Sequence, residues 1–394
     1  MPVDTAASST PPTPPTPPTP PPPLPPSYSK LSITYPFQSQ ALGEDHTVDF
    51  KESYQNPWGT IRIGKVLEDL DALAGNVAYM HVVRGAREHG EGTVEQPVIV
   101  TASVDRIRVS GRPTMNSDML LEGGVTAVGG SSVEIRMVAS CENGGSWLEA
   151  YFTFVALSSN TNRPTPVVGL KCETEEEIAL ERKGLKRMKA KKDRRAEDKR
   201  KMANNEMLGS KEENSLASNL LSEGYNLARF PALGASDGHI FMEETSLHNA
   251  LICQPQHRNM HNRIFGGFLM RRGYELAFST AYAFTGSKPT FDEVDDIAFL
   301  VPVNVGDLCL LDSRVLYTIP GVEGGNSQVF VEVIVLVAKP EQPSSEVSNR
   351  MYFTFSVDAR LNVKKILPED LAQAKRMAGR IFADRLQVAE DEEE

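Results

Sequence analysis

The sequence predicts an α+β protein made of two tandem copies of one unit, each a long helix held in the curve of an antiparallel sheet. Three observations carry that reading. At 394 residues the chain is long enough for two domains of ordinary size plus tails. Its two halves repeat one another motif by motif. In each half, one stretch of helical apolar spacing precedes four strand-like runs joined by links rich in Gly, Asn and Pro.

The repeat is read by aligning Gly64 with Gly267, an offset of 203 residues. Ile61-Arg62-Ile63-Gly64-Lys65-Val66-Leu67 then answers Ile264-Phe265-Gly266-Gly267-Phe268-Leu269-Met270. Further on, Val104-Asp105-Arg106-Ile107 answers Val294-Asp295-Asp296-Ile297, and Ser117-Asp118-Met119-Leu120 answers Gly306-Asp307-Leu308-Cys309. Tyr151-Phe152-Thr153-Phe154 recurs unchanged as Tyr352-Phe353-Thr354-Phe355. The offset drifts and returns, as it would if each copy carried one loop insertion: around Arg84 to Glu95 in the first and around Pro340 to Asn349 in the second. So long a period denotes a duplicated domain, because solenoid repeats run to about 20–50 residues.

Taken in order, residues 1–28 form a Pro-rich tail, with 13 prolines among the first 26 residues and almost nothing apolar enough to pack. Such a composition is extended and disordered, a spacer or a ligand for an SH3-like partner. The first copy spans 29–170 and opens with the alternating strand Leu31-Ser32-Ile33-Thr34-Tyr35. Its helix places Ile63, Val66, Leu67, Leu70, Leu73, Ala74, Val77 and Ala78 at helical spacing, wide enough for burial on most sides. Strands follow at Val98–Val109, Asp118–Val125, Ser132–Ser140 and Trp147–Leu157. The second copy, 231–365, repeats the order with a helix over 266–283 and strands near 294–301, 307–318, 327–337 and 350–357.

Residues 171–230 read as a charged helical linker, with a solvated basic helix over Glu175–Met207. Twelve Lys/Arg against three Asp/Glu between 182 and 201 give a local +9, so the rest of the chain carries −20 of the net −11. Such a run could attract phosphates, RNA or an acidic membrane, but it lacks the interleaved aromatics of a nucleic-acid surface, and nucleic acid is not expected as a partner. Residues 366–394 close the chain with a helix and an acidic tail.

Composition excludes several classes. The four cysteines (Cys141, Cys172, Cys253, Cys309) and seven histidines show no paired or metal-ligand spacing, so no metal and a reduced compartment are expected. No run of about 18 apolar residues is present to span a membrane. The N-terminus lacks a signal peptide's apolar core and a presequence's arginines, which points to the cytosol.

The residues fit for chemistry cluster at the helix starts. Gly266-Gly267 between a polar run and an apolar helix allows another group to approach the backbone, where unpaired N–H groups and a partial positive charge lie; close helix-on-sheet packing explains the pair equally well. Asp71 sits at the edge of the first helix's apolar stripe. A carboxylate there is at the rim, paired, or functional. Its counterpart by alignment is Tyr274, with Glu275 one step on. Asn259 and Asn56 occupy equivalent positions before the two helices, where either could be a turn residue.

Asn262-Arg263-Ile264-Phe265-Gly266-Gly267-Phe268-Leu269-Met270-Arg271 and Leu67-Glu68-Asp69-Leu70-Asp71, with the aspartate motifs downstream, resemble the acyl-CoA thioesterases with two fused hot-dog domains. The resemblance covers roughly residues 28–165 and 230–360. It implies acyl-CoA as substrate, coenzyme A as part of that substrate rather than a cofactor, and further assembly, commonly as a trimer of the fused unit. Since the family includes mitochondrial enzymes, it also implies the mitochondrial matrix as the alternative to the cytosol. It also implies a catalytic set of Asn259, Gly267 and Asp71, the asparagine and the aspartate coming from different copies. Asp71 would act as general base or as nucleophile, and the N–H groups near Gly266 and Gly267 would stabilise the oxyanion. The reciprocal site would have Asn56 facing Tyr274 and Glu275 without the aspartate, and would be either degraded or served by Glu275. Phe265 and Gly266 would meet substrate, as would Gly130, Ser131 and Ser132, a segment that a plain hairpin turn explains equally well. Two other functions stay open: a non-catalytic acyl-CoA scaffold, and a hydratase or dehydratase. The latter chemistry usually pairs a His with a carboxylate on the helix, and neither helix contains a His.

Overall fold

The computed structural model describes residues 22–38, 50–84, 96–111, 113–141, 145–203, 210–230, 238–259, 262–295, 297–322 and 324–393. Most of the Pro-rich tail and of the loop between Arg84 and Glu95 lies outside the described residues.

Each copy buries one helix. Helix α1 (Ile63–Tyr79) sinks Val66, Leu67, Leu70, Leu73, Ala74, Val77 and Ala78, the face its apolar spacing dictates, and Asp71 with them. Helix α2 is Glu175–Ala203, α3 is Lys211–Arg229, α4 is Gly266–Thr285 and α5 is Leu371–Glu393. Helix α4 buries the equivalent face and ends at Gly286, whose φ of 66° is the left-handed stop that a residue without Cβ adopts freely.

Around α1 run β1 (Leu31–Tyr35), β2 (Val98–Val104), β3 (Ile107–Val109), β4 (Met119–Val128), β5 (Ser132–Cys141) and β6 (Gly145–Leu157). Around α4 run β8 (Leu247–Ile252), β9 (Thr290–Val294), β10 (Ile297–Phe299), β11 (Leu308–Ile319), β12 (Asn326–Lys339) and β13 (Ser344–Asp358). Strands β7 (His239–Phe241) and β14 (Lys365–Leu367) pair separately, in parallel. The main sheet is antiparallel, in the order β1-β4-β5-β6-β2-β10-β13-β12-β11-β8. A bulge between Val125 and Ala127 on β4 is matched by one between Val315 and Tyr317 on β11, and bulges of this kind bend strands. This is the hot-dog arrangement, twice over.

The two sheets join through the repeated aspartate motif. Val104 pairs with Ile297 and Ile107 with Val294, so β2–β10 and β3–β9 form one seam with a local two-fold relation. The run expected as one strand over Val98–Val109 breaks there, because the Asp105 N–H turns to the Tyr151 carbonyl at 2.7 Å. Asp295 does the same to Tyr352 at 2.9 Å.

Both aspartates are buried, and each copy supplies a helix to neutralise its own. On α5, Arg380 pairs with Asp295 and lies 4.9 Å over the Tyr352 ring. On α2, Lys191 pairs with Asp105, while Arg187 lies 4.0 Å over Tyr151 and bonds the fully buried Glu134 at 2.7 Å. The basic helix expected to be solvated is therefore fastened on its inner face, because a buried carboxylate requires a cation. Helix α3 begins at a Ser210–Glu213 capping box and packs on α5 through Ala217, Ala374 and Ala378. Two cysteines 56 residues apart, Cys253 and Cys309, also meet in the second copy's core, with their sulfurs 3.4 Å apart.

Candidate active site

The loops before α1 and α4 have one design. Asn56 Oδ1 accepts the Thr60 N–H at 3.0 Å, and Asn259 Oδ1 accepts the Arg263 N–H at 3.1 Å. Gly59 (φ 77°) and its counterpart Asn262 (φ 60°) take the left-handed turn between them. Both asparagines are thus turn residues. Asn259 in addition lines a cavity; Asn56 lines an open depression with Glu52, Gln55 and Arg62.

Helices α1 and α4 touch at their glycines. A Cβ on Gly267 would stand 2.8 Å from the Glu68 carbonyl oxygen and 3.0 Å from Asp71 Cβ, and one on Gly64 would stand 3.1 Å from Tyr274. Only a bare backbone allows this approach. It brings Asp71, which has no exposed surface, to the start of α4, where Oδ2 accepts the Gly267 N–H at 2.6 Å. Oδ1 accepts the Thr101 hydroxyl at 3.3 Å. Burial pushes the Asp71 pKa up to about 7, against the opposing pull of those two hydrogen bonds.

Beside this carboxylate is a cavity of about 820 Å³ between the copies. Thr101 and Gly266 line its inner end, and a Cβ on Gly266 would come 3.1 Å from Asp71 Oδ2. Ala72, Gly75, Tyr79, Ile99 and Phe154 give it an apolar wall from the first copy. Asn259, Arg258, Arg263, Phe265 and Phe299 face them from the second. The Leu300–Val303 wall is fixed by the buried Ser348, whose hydroxyl donates to the Val301 carbonyl at 2.8 Å. The Gly267 N–H is taken by the carboxylate, and the Gly266 N–H beside it is another of the helix-start groups with no carbonyl of their own helix to meet.

The reciprocal position is built differently. Tyr274, the counterpart of Asp71, is buried. The pairings Thr101–Phe154 and Phe291–Phe355 make Phe291 the counterpart of Thr101, and its ring meets Tyr274 edge-on at 5.2 Å. Glu275 does not take the vacated role. It is held by Arg62 at 2.8 Å, Arg271 at 3.1 Å and Arg272 at 3.1 Å. Burial raises its pKa, but Arg62 and Arg271 outweigh that and leave it below the usual carboxylate range.

Of the residues singled out in the sequence, Asp71, Gly266, Gly267, Phe265 and Asn259 come together here. Gly130, Ser131 and Ser132 do not. They form the turn between β4 and β5, with the Ser131 carbonyl accepting from Ala156 at 2.9 Å and the Gly130 carbonyl from Val167 at 3.3 Å, and none of them lines the cavity. Thr101 and Phe299 were missed. Thr101 follows a loop of irregular length, so only the strand register finds it; Phe299 closes over Gly266 from the short strand β10.

No family model matches the chain. Among curated proteins it is 40% identical over 378 residues to acyl-coenzyme A thioesterase 4, mitochondrial, of Humulus lupulus, covering 91% of this chain and 68% of that protein. It is 39% identical to acyl-coenzyme A thioesterase 2, chloroplastic, of the same plant, covering 91% of this chain and 80% of the relative. Acyl-coenzyme A thioesterase 9, mitochondrial, of Homo sapiens is 33% identical, over 78% of this chain and 68% of the relative.

Proposed function

Because the chain belongs to the acyl-CoA thioesterases, hydrolases of thioesters, we propose that it cleaves acyl-CoA to fatty acid and CoA at one site shared between its two copies, with Asp71 as general base. The observation that carries this is the buried Asp71 carboxylate, held by the Gly267 N–H across the copies and bordered by a cavity. A base poised near neutral pH removes a proton from water efficiently as water attacks the thioester carbonyl. Negative charge then develops on the carbonyl oxygen. The Gly266 N–H at the start of α4 stabilises it, and the Asn259 amide orients the carbonyl. The tetrahedral intermediate collapses with loss of the CoA thiolate, which takes up a proton, and no cofactor is required.

The reading favours hydrolysis over a scaffold role because Asp71, Thr101 and Gly266 converge at one end of the cavity, an arrangement that acyl-CoA binding alone does not need. The names of the plant and human relatives, mitochondrial and chloroplastic, support an organelle over the cytosol. Self-association of the fused unit belongs to the same proposal, and light scattering giving a single chain's mass would remove it.

Thiol release from a panel of acyl-CoAs, short to long, by wild type, Asp71→Ala and Asn259→Ala tests the chemistry. Wild-type turnover that falls by about 100-fold or more in both variants is the expected result. Folded wild-type protein that releases no thiol from any member would overturn the reading in favour of a binding scaffold.

A further inference from the structure

Resting on the reading of Asp71 as the catalytic carboxylate, we propose that Gly75 determines which acyl groups the site accepts, its missing side chain opening the groove for chains of many carbons.

Gly75 lies one turn beyond Asp71, inside a 17-residue helix. A glycine there weakens the helix, so packing should account for it. Packing does not: a Cβ at Gly75 would meet nothing within 4 Å, whereas one at Gly267 would collide with the neighbouring helix and one at Gly64 would press against Tyr274. The open space is the cavity itself, where Gly75 sits with Tyr79, Ile99 and Phe154. Those residues make an apolar surface suited to a hydrocarbon chain, while Arg258 and Arg263 on the other copy suit the phosphate-bearing end of CoA.

The second copy shows what a side chain does at this position. By the 203-residue offset the counterpart of Gly75 is Phe278. Its ring centroid lies 6.2 Å from Tyr274, 6.1 Å from Phe355 and 5.6 Å from Trp58, and Tyr282, the counterpart of Tyr79, stands 6.0 Å from the same Trp58. An aromatic cluster thus fills the space equivalent to the groove. The groove stays open where the carboxylate is present and is filled where it is not.

The test is equilibrium binding of non-hydrolysable thioether analogues of acetyl-CoA and palmitoyl-CoA to wild type and Gly75→Phe, with thiol release from the matching thioesters run alongside. The proposal expects the ratio of long- to short-chain affinity to fall about 100-fold in Gly75→Phe, the loss of a few buried methylenes, with the same change in the ratio of kcat/KM. If Gly75→Phe does not fold, Gly75→Met, whose flexible side chain can bend into the groove, carries the same expectation. An unchanged ratio in a folded variant, or a wild type that binds neither analogue, would overturn the assignment. Wild type that binds both analogues yet releases no thiol would instead overturn the catalytic reading, leaving the binding ratio to decide Gly75 separately.

Discussion

Asp71 and Gly267 lie 196 residues apart in sequence and 2.6 Å apart in space, a carboxylate of the first copy bonded to the helix start of the second. That bond and the Thr101 hydroxyl favour the anion, while burial opposes it more strongly and sets the pKa at about 7. Activity should therefore rise with pH through a single limb centred near 7, as the base loses its proton. Thr101→Val removes a hydrogen bond to the anion and should move the limb upward. A kcat/KM–pH profile of both proteins checks the position and the direction.

The same shift predicts a stability effect of opposite sense to the activity. The folded pKa lies above the unfolded value of about 4, so the folded state retains a proton that the unfolded state releases between those values. Stability linked to this group is fully present below pH 4 and is lost as pH rises through 7. Asp71→Asn removes the dependence and should be more stable than wild type by roughly 2–4 kcal/mol at pH 8, with the gap narrowing towards pH 5. Denaturant unfolding at the two pH values measures it.

Alanine at the two kinds of helix glycine should have effects of opposite sign. Gly267→Ala drives a methyl against the Glu68 carbonyl and Asp71 and should destabilise by about 1–3 kcal/mol, with loss of turnover as the helices separate. Gly75→Ala meets open space and should stabilise by about 0.5–1 kcal/mol. Thermal midpoints of the two variants, measured side by side, give the signs.

Arg380 is the cation on which Asp295 depends at the seam between the sheets. Arg380→Ala leaves a buried carboxylate without its guanidinium and should cost about 3–5 kcal/mol. Substitution of an exposed pair such as Arg360 with Asp358 should leave the unfolding midpoint close to that of wild type, because solvent screens it. Chemical denaturation of the two variants compares them directly.

Much of this was legible in the sequence. Helix α1 follows from its spacing, the duplication from matched motifs, and Asp71 was identifiable as a carboxylate at the edge of the helix's apolar stripe. The pairing of Asp71 with Asn259 came from family resemblance rather than from spacing, because no local rule brings residues from different copies together. The hydrogen bond from the Gly267 N–H to Asp71 was not foreseen, since that N–H was read as a donor to the oxyanion. The Val-Asp-x-Ile repeat was visible but not its meaning: the pairing of strand edges across a two-fold is a tertiary fact. The role of α2 was hidden for a similar reason, since a basic helix reads as solvated until the carboxylates beneath it are known. Glu275 looked like a substitute for Asp71 one position along, yet a one-residue step turns a side chain by about 100° around the helix, and there three arginines hold it.

The central claim is that one cross-copy carboxylate does the chemistry, and comparing Asp71→Asn with Glu275→Gln in steady-state thiol release tests it most directly. The account predicts that Asp71→Asn loses about 100-fold or more in kcat while Glu275→Gln stays within a few-fold of wild type. Equal losses in the two variants, or turnover that survives Asp71→Asn and disappears in the double variant, would contradict it and place catalysis at the second position as well.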